Sequence, residues 1–161
     1  AVLTASGKVF AWGDRHFGGE IKISSWPGSD VNDDGTASGF PADGQIVETI
    51  SNVVALYSTQ YAFAARLENK RVVTWGDPNT GGLIPSNKKA SLQNIESIYA
   101  NEVAFAALKE DGGVVTWGDD DAGGDSTAVK SELVNVQSII TTGSAFTAMC
   151  RNVPGQIESM G

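Results

Sequence analysis

Histidine and cysteine are nearly absent from this chain: each occurs once, as His16 and Cys150. A lone cysteine excludes an internal disulfide and reads most simply as a small apolar residue in the core. A lone histidine excludes a His-based metal cluster. Any Ser-His-Asp or Cys-His arrangement would have to be built on His16, which stands in the turn RHFGG and reads as a turn substitution. Basic residues are also scarce: 11 Lys and Arg face 19 Asp and Glu, giving a net charge of −8. Such a surface repels phosphate backbones, so no nucleic-acid partner is expected. The basic doublets Lys70–Arg71 and Lys88–Lys89 read as solvated loop charges. The apolar runs are short and broken by charge, so no transmembrane helix is expected. No basic leader precedes an apolar stretch, so no secretory signal is read and the chain is expected to be soluble. Neither a Walker-type phosphate loop nor a G-x-S-x-G elbow occurs.

The chain has 19 glycines among many Val, Ala, Ser and Thr, the composition of short strands joined by tight turns. In 161 residues, the size of one ordinary domain, a repeat organises the sequence. The string VVTWGD occurs at Val72–Asp77 and again at Val114–Asp119, with a looser VFAWGD at Val9–Asp14. Trp75 and Trp117 are 42 residues apart, and other positions recur in register with them. Asn52, Asn94 and Asn135 open NVVAL, NIESI and NVQSI. Phe63, Phe105 and Phe146 follow those asparagines by 11 residues. Gly18–Gly19, Gly81–Gly82 and Gly123–Gly124 each begin six residues after a Trp.

Each unit predicts three or four short antiparallel strands: Asn-Val/Ile-x-x-Ile/Leu, then the Ala-rich segment around Phe, then VVTW after a turn. In the last linker, DSTAVKSEL at Asp125–Leu133 carries a capping residue and helical spacing, which predicts one or two helical turns. The units run over about 1–19, 45–82, 88–124 and 129–161. Trp12 to Trp75 is 63 residues, and the excess lies in a polar, Gly-rich insertion at about 19–44. The last unit decays: GQIESMG at Gly155–Gly161 stands where GGVVTWG is expected, with Met160 in the Trp place. A strand-built period of this length points to radial repetition, an all-β fold of β-propeller blades. About three to three and a half units fall short of the roughly four to eight blades that close such a ring. The expectation is therefore an incomplete propeller, either a segment of a longer array or an arc completed by another subunit.

The segment AFAALKEDGGVVTWGDDDAGG at Ala104–Gly124 resembles the repeat of the regulator of chromosome condensation family, which includes alpha-tubulin-suppressor-like proteins. Ala107–Leu108, Asp111–Gly112, Val114–Val115, Trp117–Gly118 and Gly123–Gly124 carry the match. Ala65, Leu67, Val72–Val73, Trp75–Gly76 and Gly81–Gly82 repeat it, as do Leu3, Gly7, Val9, Trp12–Gly13 and Gly18–Gly19. The Gly-His-Thr cluster usual before the Ala-Leu strand is replaced by Gln60–Tyr61–Ala62 and Glu102–Val103–Ala104. The resemblance implies propeller blades, commonly seven. It also implies a role among exchange factors for small GTPases, protein inhibitors, ligase appendages and scaffolds. Acidic, simplified repeats of this type also look like those of many algal proteins, which implies as a further alternative a peripheral subunit of an organellar, photosynthetic complex.

Trp-Gly-Asp at the same place in every unit is what a packing joint predicts, because an active site breaks symmetry around one substrate. The expectation is a non-enzymatic interaction module, a scaffold or accessory subunit with protein partners and no cofactor, whose contacts come from the loops Gly19–Gly44 and Ser86–Ala90. In the insertion, Asp30-Val31-Asn32-Asp33-Asp34-Gly35 matches the first half of the D-x-[DN]-x-[DN]-G calcium loop, with Asp30, Asn32 and Asp34 as oxygen ligands. Pro41 stands at the twelfth position, where that loop needs Glu, so a calcium site and an ion-free acidic turn both stay open. Trp26 lies outside the repeat register, and two roles stay open for it: a partner anchor, or a cover folded over the end of a unit.

Overall fold

The computed structural model describes residues 1–22, 46–47 and 50–151. The chain is all-β there, in antiparallel sheets joined by single helical turns. Its strands are β1 (Val2–Leu3), β2 (Val9–Phe10), β3 (Ile21–Lys22), β4 (Ile46–Val47), β5 (Val53–Ser58) and β6 (Ala62–Leu67). They continue as β7 (Val72–Gly76), β8 (Ile95–Ala100), β9 (Ala104–Lys109), β10 (Val114–Gly118), β11 (Val136–Thr141) and β12 (Phe146–Cys150). Two sheets have three strands, in the orders β5-β6-β7 and β8-β9-β10, while β1-β2, β3-β4 and β11-β12 form two-stranded sheets. Among the described residues no sheet closes on itself.

The repeat in sequence becomes a repeat in register. Phe63 lies opposite Trp75 across β6 and β7, and Phe105 lies opposite Trp117 across β9 and β10. Each first strand opens with an irregularity after Val53, Ile95 and Val136. The asparagines just before those residues, Asn52, Asn94 and Asn135, are left-handed, with φ of 60°, 55° and 53°. Asn tolerates that region better than other non-glycine residues, so it stands just outside the strand as the residue that turns the chain into it. The strand N–H that follows reaches the preceding unit: Val53, Ile95 and Val136 donate to the carbonyls of Gly7, Lys70 and Gly112 at 2.9, 2.9 and 3.0 Å.

The core sits between sheets rather than within one. One cluster joins Val9, Ile21 and Ile50 to Val53, Ala65, Leu67, Val73 and Trp75. The next joins Ala62, Ala64 and Val72 of one sheet to Ile95, Ile98, Phe105, Ala107 and Trp117 of the following one. The small alanines let the sheets approach, and the large residues on the facing sheet fill what they leave. The third cluster pairs Ala106 and Leu108 with Val136 and Ile139.

The base of the insertion is drawn together, since Ile21 and Lys22 pair with Val47 and Ile46. Ile21 is 2 % exposed and belongs to the core, so the repeat extends two residues into what the sequence marks as insertion. The helical turn expected in Asp125–Leu133 is a 3-10 turn at Thr127–Val129, and a four-residue α-turn, α1, covers Ser86–Lys89. Among the described residues no helix is long and apolar enough to cross a membrane.

Candidate functional site

Each residue of Trp-Gly-Asp has one structural task, repeated. The indole crosses to the preceding unit: Trp75 Nε1 donates to the Gly18 carbonyl at 3.3 Å, and Trp117 Nε1 to the Gly81 carbonyl at 3.1 Å. Both indoles are fully buried and stack on the phenylalanine opposite, with ring centroids 5.4 Å apart for Phe63–Trp75 and 5.2 Å for Phe105–Trp117. The glycine has positive φ, 107° at Gly76 and 113° at Gly118 where it ends β7 and β10, and 117° at Gly13 beyond β2. The aspartate caps the next 3-10 turn. Asp14, Asp77 and Asp119 accept the backbone N–H of His16, Asn79 and Asp121 at 2.9, 2.8 and 2.9 Å. The turn then closes as the Gly19, Gly82 and Gly124 amides donate to the carbonyls of the same aspartates.

The three copies differ in surroundings. Trp12 has no sheet against it among the described residues and is 68 % exposed, and Phe10 and Phe17 of the same unit are exposed too. A Cβ added to Gly13 would meet nothing within 4 Å, whereas one at Gly76 or Gly118 would lie 2.7 Å from the Cα of Ala62 or Ala104.

At the other end the arrangement is reversed. The last interface repeats the alanine face of the second, with Tyr99, Ala106 and Val114 against Val136, Ile139, Phe146 and Ala148. No counterpart of Trp117 or Val115 takes part in it among the described residues. A cavity of about 140 Å³ opens there, lined by Ala106, Val114, Thr116, Gly123, Phe146 and Ala148. Asp125 and Ser126 add polar groups to the lining. Ser126 follows its Trp by nine residues, as Ile21 and Ile84 follow theirs, so hydroxyl replaces hydrocarbon in this unit.

His16 lies in the turn after Trp12, exposed, with Nδ1 3.1 Å from Asp14 Oδ1. That contact, the His16 amide first of all, holds the Asp14 carboxyl below its ordinary range. The pair braces the turn, since the same Asp14 oxygen accepts the His16 amide and meets its ring. The acidic run Asp119–Asp121 is likewise a capped, exposed turn. Among the described residues no three His, Cys, Asp or Glu side chains converge as metal ligands would. Asp30, Asn32, Asp34 and Trp26 lie outside the described residues, as do 155–161 with Met160.

Cys150 departs from expectation: it is exposed rather than part of the core. It ends β12, an edge strand with no further strand beside it among the described residues, so its side chain has no second sheet to enter. Sequence reasoning also passed over Ile50, Leu92 and Leu133, each two residues before its Asn. The first two are buried and Leu133 packs against the third cluster. An apolar residue at a fixed offset in all three units was the available signal. No family model matches this chain, and no curated protein matches it.

Proposed function

We propose that this chain is a non-catalytic interaction module, a run of propeller-type blades that acts as a scaffold or accessory subunit within a larger protein assembly. The observation that supports this most is the inequality of the three Trp-Gly-Asp copies. Two indoles are spent in joining one sheet to the next, while Trp12 stands 68 % exposed. A motif whose three residues have the same structural tasks in successive units is a joint, and joints specify an array rather than a reaction. Among the described residues, exposed apolar side chains on the first unit, with a cavity and a sheet edge that carries no further strand on the last, are the features of surfaces made to be covered. The net charge of −8 turns such a module away from nucleic acid and toward protein partners of neutral or basic surface.

The test is the state of the protein in its native source. Size-exclusion chromatography with mass spectrometry should find it eluting with defined protein partners, well above the mass of its own polypeptide. Elution as a compact monomer at that mass would refute the assignment. Stimulated release of guanine nucleotide from a co-purifying GTPase would replace a passive scaffold by a regulatory one.

A further inference from the structure

The first unit shows what the outer edge of its Trp-bearing strand can take. Val9 of β2 exchanges two backbone hydrogen bonds with Ile50, its N–H donating at 2.8 Å and its carbonyl accepting at 3.2 Å, in an antiparallel bridge. Val9 stands three residues before its Trp, as Val114 does before Trp117. Ile50 stands two residues before its Asn, as Leu133 does before Asn135. In the unit of β8, β9 and β10 that counterpart is present but goes elsewhere. Leu133 packs into the third cluster, and the chain ahead of it forms the 3-10 turn Thr127–Val129. The repeat's own supplier of this edge is thus accounted for, and β10 is left at the margin of its sheet.

The register says which groups β10 presents. Lys109 donates to the Gly113 carbonyl at 2.9 Å and Asp119 to the Val103 carbonyl at 3.1 Å, one bond at either end of the β9–β10 ladder. Hydrogen-bonded and non-hydrogen-bonded pairs alternate in an antiparallel ladder, so Val115 and Trp117 turn their backbone groups to β9. Val114 and Thr116 turn theirs outward, as Val9 does, and neither is paired there among the described residues. Two cavities lie beside them, of about 160 and 410 Å³, sharing Ser91, Val114, Val115 and Lys130, and so joining into one groove along the strand. Its walls all come from between Asn87 and Asn135, within one unit and its two linkers. Lys88, Lys109 and Lys130 line it against Asp111 and Asp125, an excess of one positive charge in a chain of net −8. Both carboxylates are engaged, Asp111 with Lys109 at 2.8 Å and Asp125 with the Thr127 amide at 2.9 Å. Lys88 Nζ donates to a neutral group, the Gly124 carbonyl, at 2.8 Å, and the exposed Lys130 forms no ion pair among the described residues.

Resting on the reading of the chain as an interaction module, we propose that the outer edge of β10 receives an extended acidic segment of a protein partner, laid antiparallel along Val114 and Thr116 beside Lys88 and Lys130. The segment repeats what Ile50 does for Val9. One of its residues exchanges two hydrogen bonds with Val114, and the residue two positions away does the same with Thr116. Backbone pairing is blind to side chains, so selectivity comes from the lysines, which attract acidic side chains that the rest of this surface repels.

The probe is a synthetic peptide with blocked ends, Glu-Val-Glu-Val-Glu, titrated into the intact, isotope-labelled chain and followed by its amide resonances. Two controls run beside it: Lys-Val-Lys-Val-Lys, and the acidic peptide N-methylated at its three inner residues. The expected result is saturable one-to-one binding of the acidic peptide, with the largest shifts at the Val114 and Thr116 amides and no saturation with either control. Lys130→Glu should weaken binding by about fivefold, the upper end for an exposed ion pair, while the circular dichroism stays unchanged. Val114→Pro removes one outward N–H at the first residue of a strand, where proline is tolerated, and should weaken binding too. Should that variant misfold, Lys130→Glu decides alone. Equal shifts with acidic and basic peptides, shifts centred elsewhere, or none, overturn the proposal. So does a Val114 amide that exchanges with solvent as slowly as that of Val115 before any peptide is added, because the chain itself would then cover the edge. Shifts at the same amides on concentrating the chain alone overturn it as well, by assigning the edge to a second copy. If the peptide fails while the native protein still elutes with its partners, this groove is wrong and the interaction reading stands.

Discussion

Replacing each of the three motif tryptophans by alanine should give three sharply different stabilities, although the sequence writes them alike. Trp117 is fully buried, stacks on Phe105 and donates to the Gly81 carbonyl at 3.1 Å. Truncating a buried Trp to Ala costs about 3–5 kcal/mol. Leaving the buried Gly81 carbonyl without its donor adds about 1–3 kcal/mol where no water can enter. The sum is comparable with the whole stability of an ordinary domain, about 5–15 kcal/mol. Trp75, with the same partners one unit earlier, should behave alike. Trp12, 68 % exposed and without a carbonyl partner among the described residues, should cost no more than a surface change, about 0.5 kcal/mol. Urea unfolding followed by far-ultraviolet circular dichroism is the suitable assay, because each substitution removes a different one of the four tryptophans that fluorescence would follow. At a slope of about 2 kcal/mol per molar, Trp117→Ala should lower the midpoint by on the order of 2 M or leave no folded baseline. Trp117→Phe keeps a ring but not the N–H and should fall between. If Trp12→Ala and Trp117→Ala shift the midpoint equally, or if Trp117→Ala costs under about 1 kcal/mol, the indole is not what joins the units.

Three further outcomes check the local geometry. Gly13 and Gly118 have nearly the same φ, 117° and 113°, but only Gly118 would press a Cβ to 2.7 Å from Ala104 Cα. Backbone strain therefore cancels between them, and thermal unfolding should find Gly118→Ala worse than Gly13→Ala by the cost of overpacking, about 1–3 kcal/mol. Asn94 at φ 55° should tolerate Gly with little change, while Asn94→Ala should lose about 1 kcal/mol; equal effects would mean that the left-handed turn is not what this residue provides. Asp111 is held below its ordinary value of 3.8 by the Lys109 ammonium and then the Gly113 amide. A depressed folded value means a contribution that is full above 3.8 and lost as pH falls through the folded value, so stability should decline on acidification below 3.8. In Asp111→Asn that part of the acid decline should vanish, and an unchanged acid limb would show that the contact has no weight.

How far the sequence could be read depended on the range of the interaction. Trp-Gly-Asp was legible because its logic is local: a glycine at positive φ and an aspartate that caps the turn two residues later are both satisfied within one turn. Its recurrence, 42 residues apart at Trp75 and Trp117 and 63 apart across the insertion, then marked the units. The same string could not say that Trp12 is exposed and Trp117 buried, since that depends on a sheet contributed by another part of the chain. Cys150 was misjudged for the same reason: an apolar residue at a strand end is buried only if another sheet covers it. The left-handed asparagines were visible as recurring letters but not as a conformation, because Asn before Val or Ile reads equally well as the first residue of the strand. The calcium-like stretch Asp30–Gly35 and Trp26 lie where only the sequence speaks.

Among the described residues, the exposed Trp12 in the first unit and the cavity at Gly123 in the last both follow from one property of stacked sheets. Each sheet has two unlike faces, an alanine-rich one that receives and one bearing Phe and Trp that inserts. Unlike faces make head-to-tail contacts, which stay unsaturated until the units close into a ring: every unit added before closure covers one face and presents another of the same kind. The two three-stranded and three two-stranded sheets of the described residues therefore carry both an inserting and a receiving surface, whatever their internal stability. Changing the receiving wall should alter association without altering the fold, and Val129, 44 % exposed at the rim of the Gly123 cavity, is the place to do it. Val129→Lys should leave the urea midpoint within about 0.5 kcal/mol of the parent, as surface changes do, yet raise the desolvation cost of any apolar strand entering beside it. A variant that elutes with the same protein partners as the parent would mean that the rim takes no part in reception. A variant that unfolds would mean that the rim is held by the fold itself rather than open to a partner.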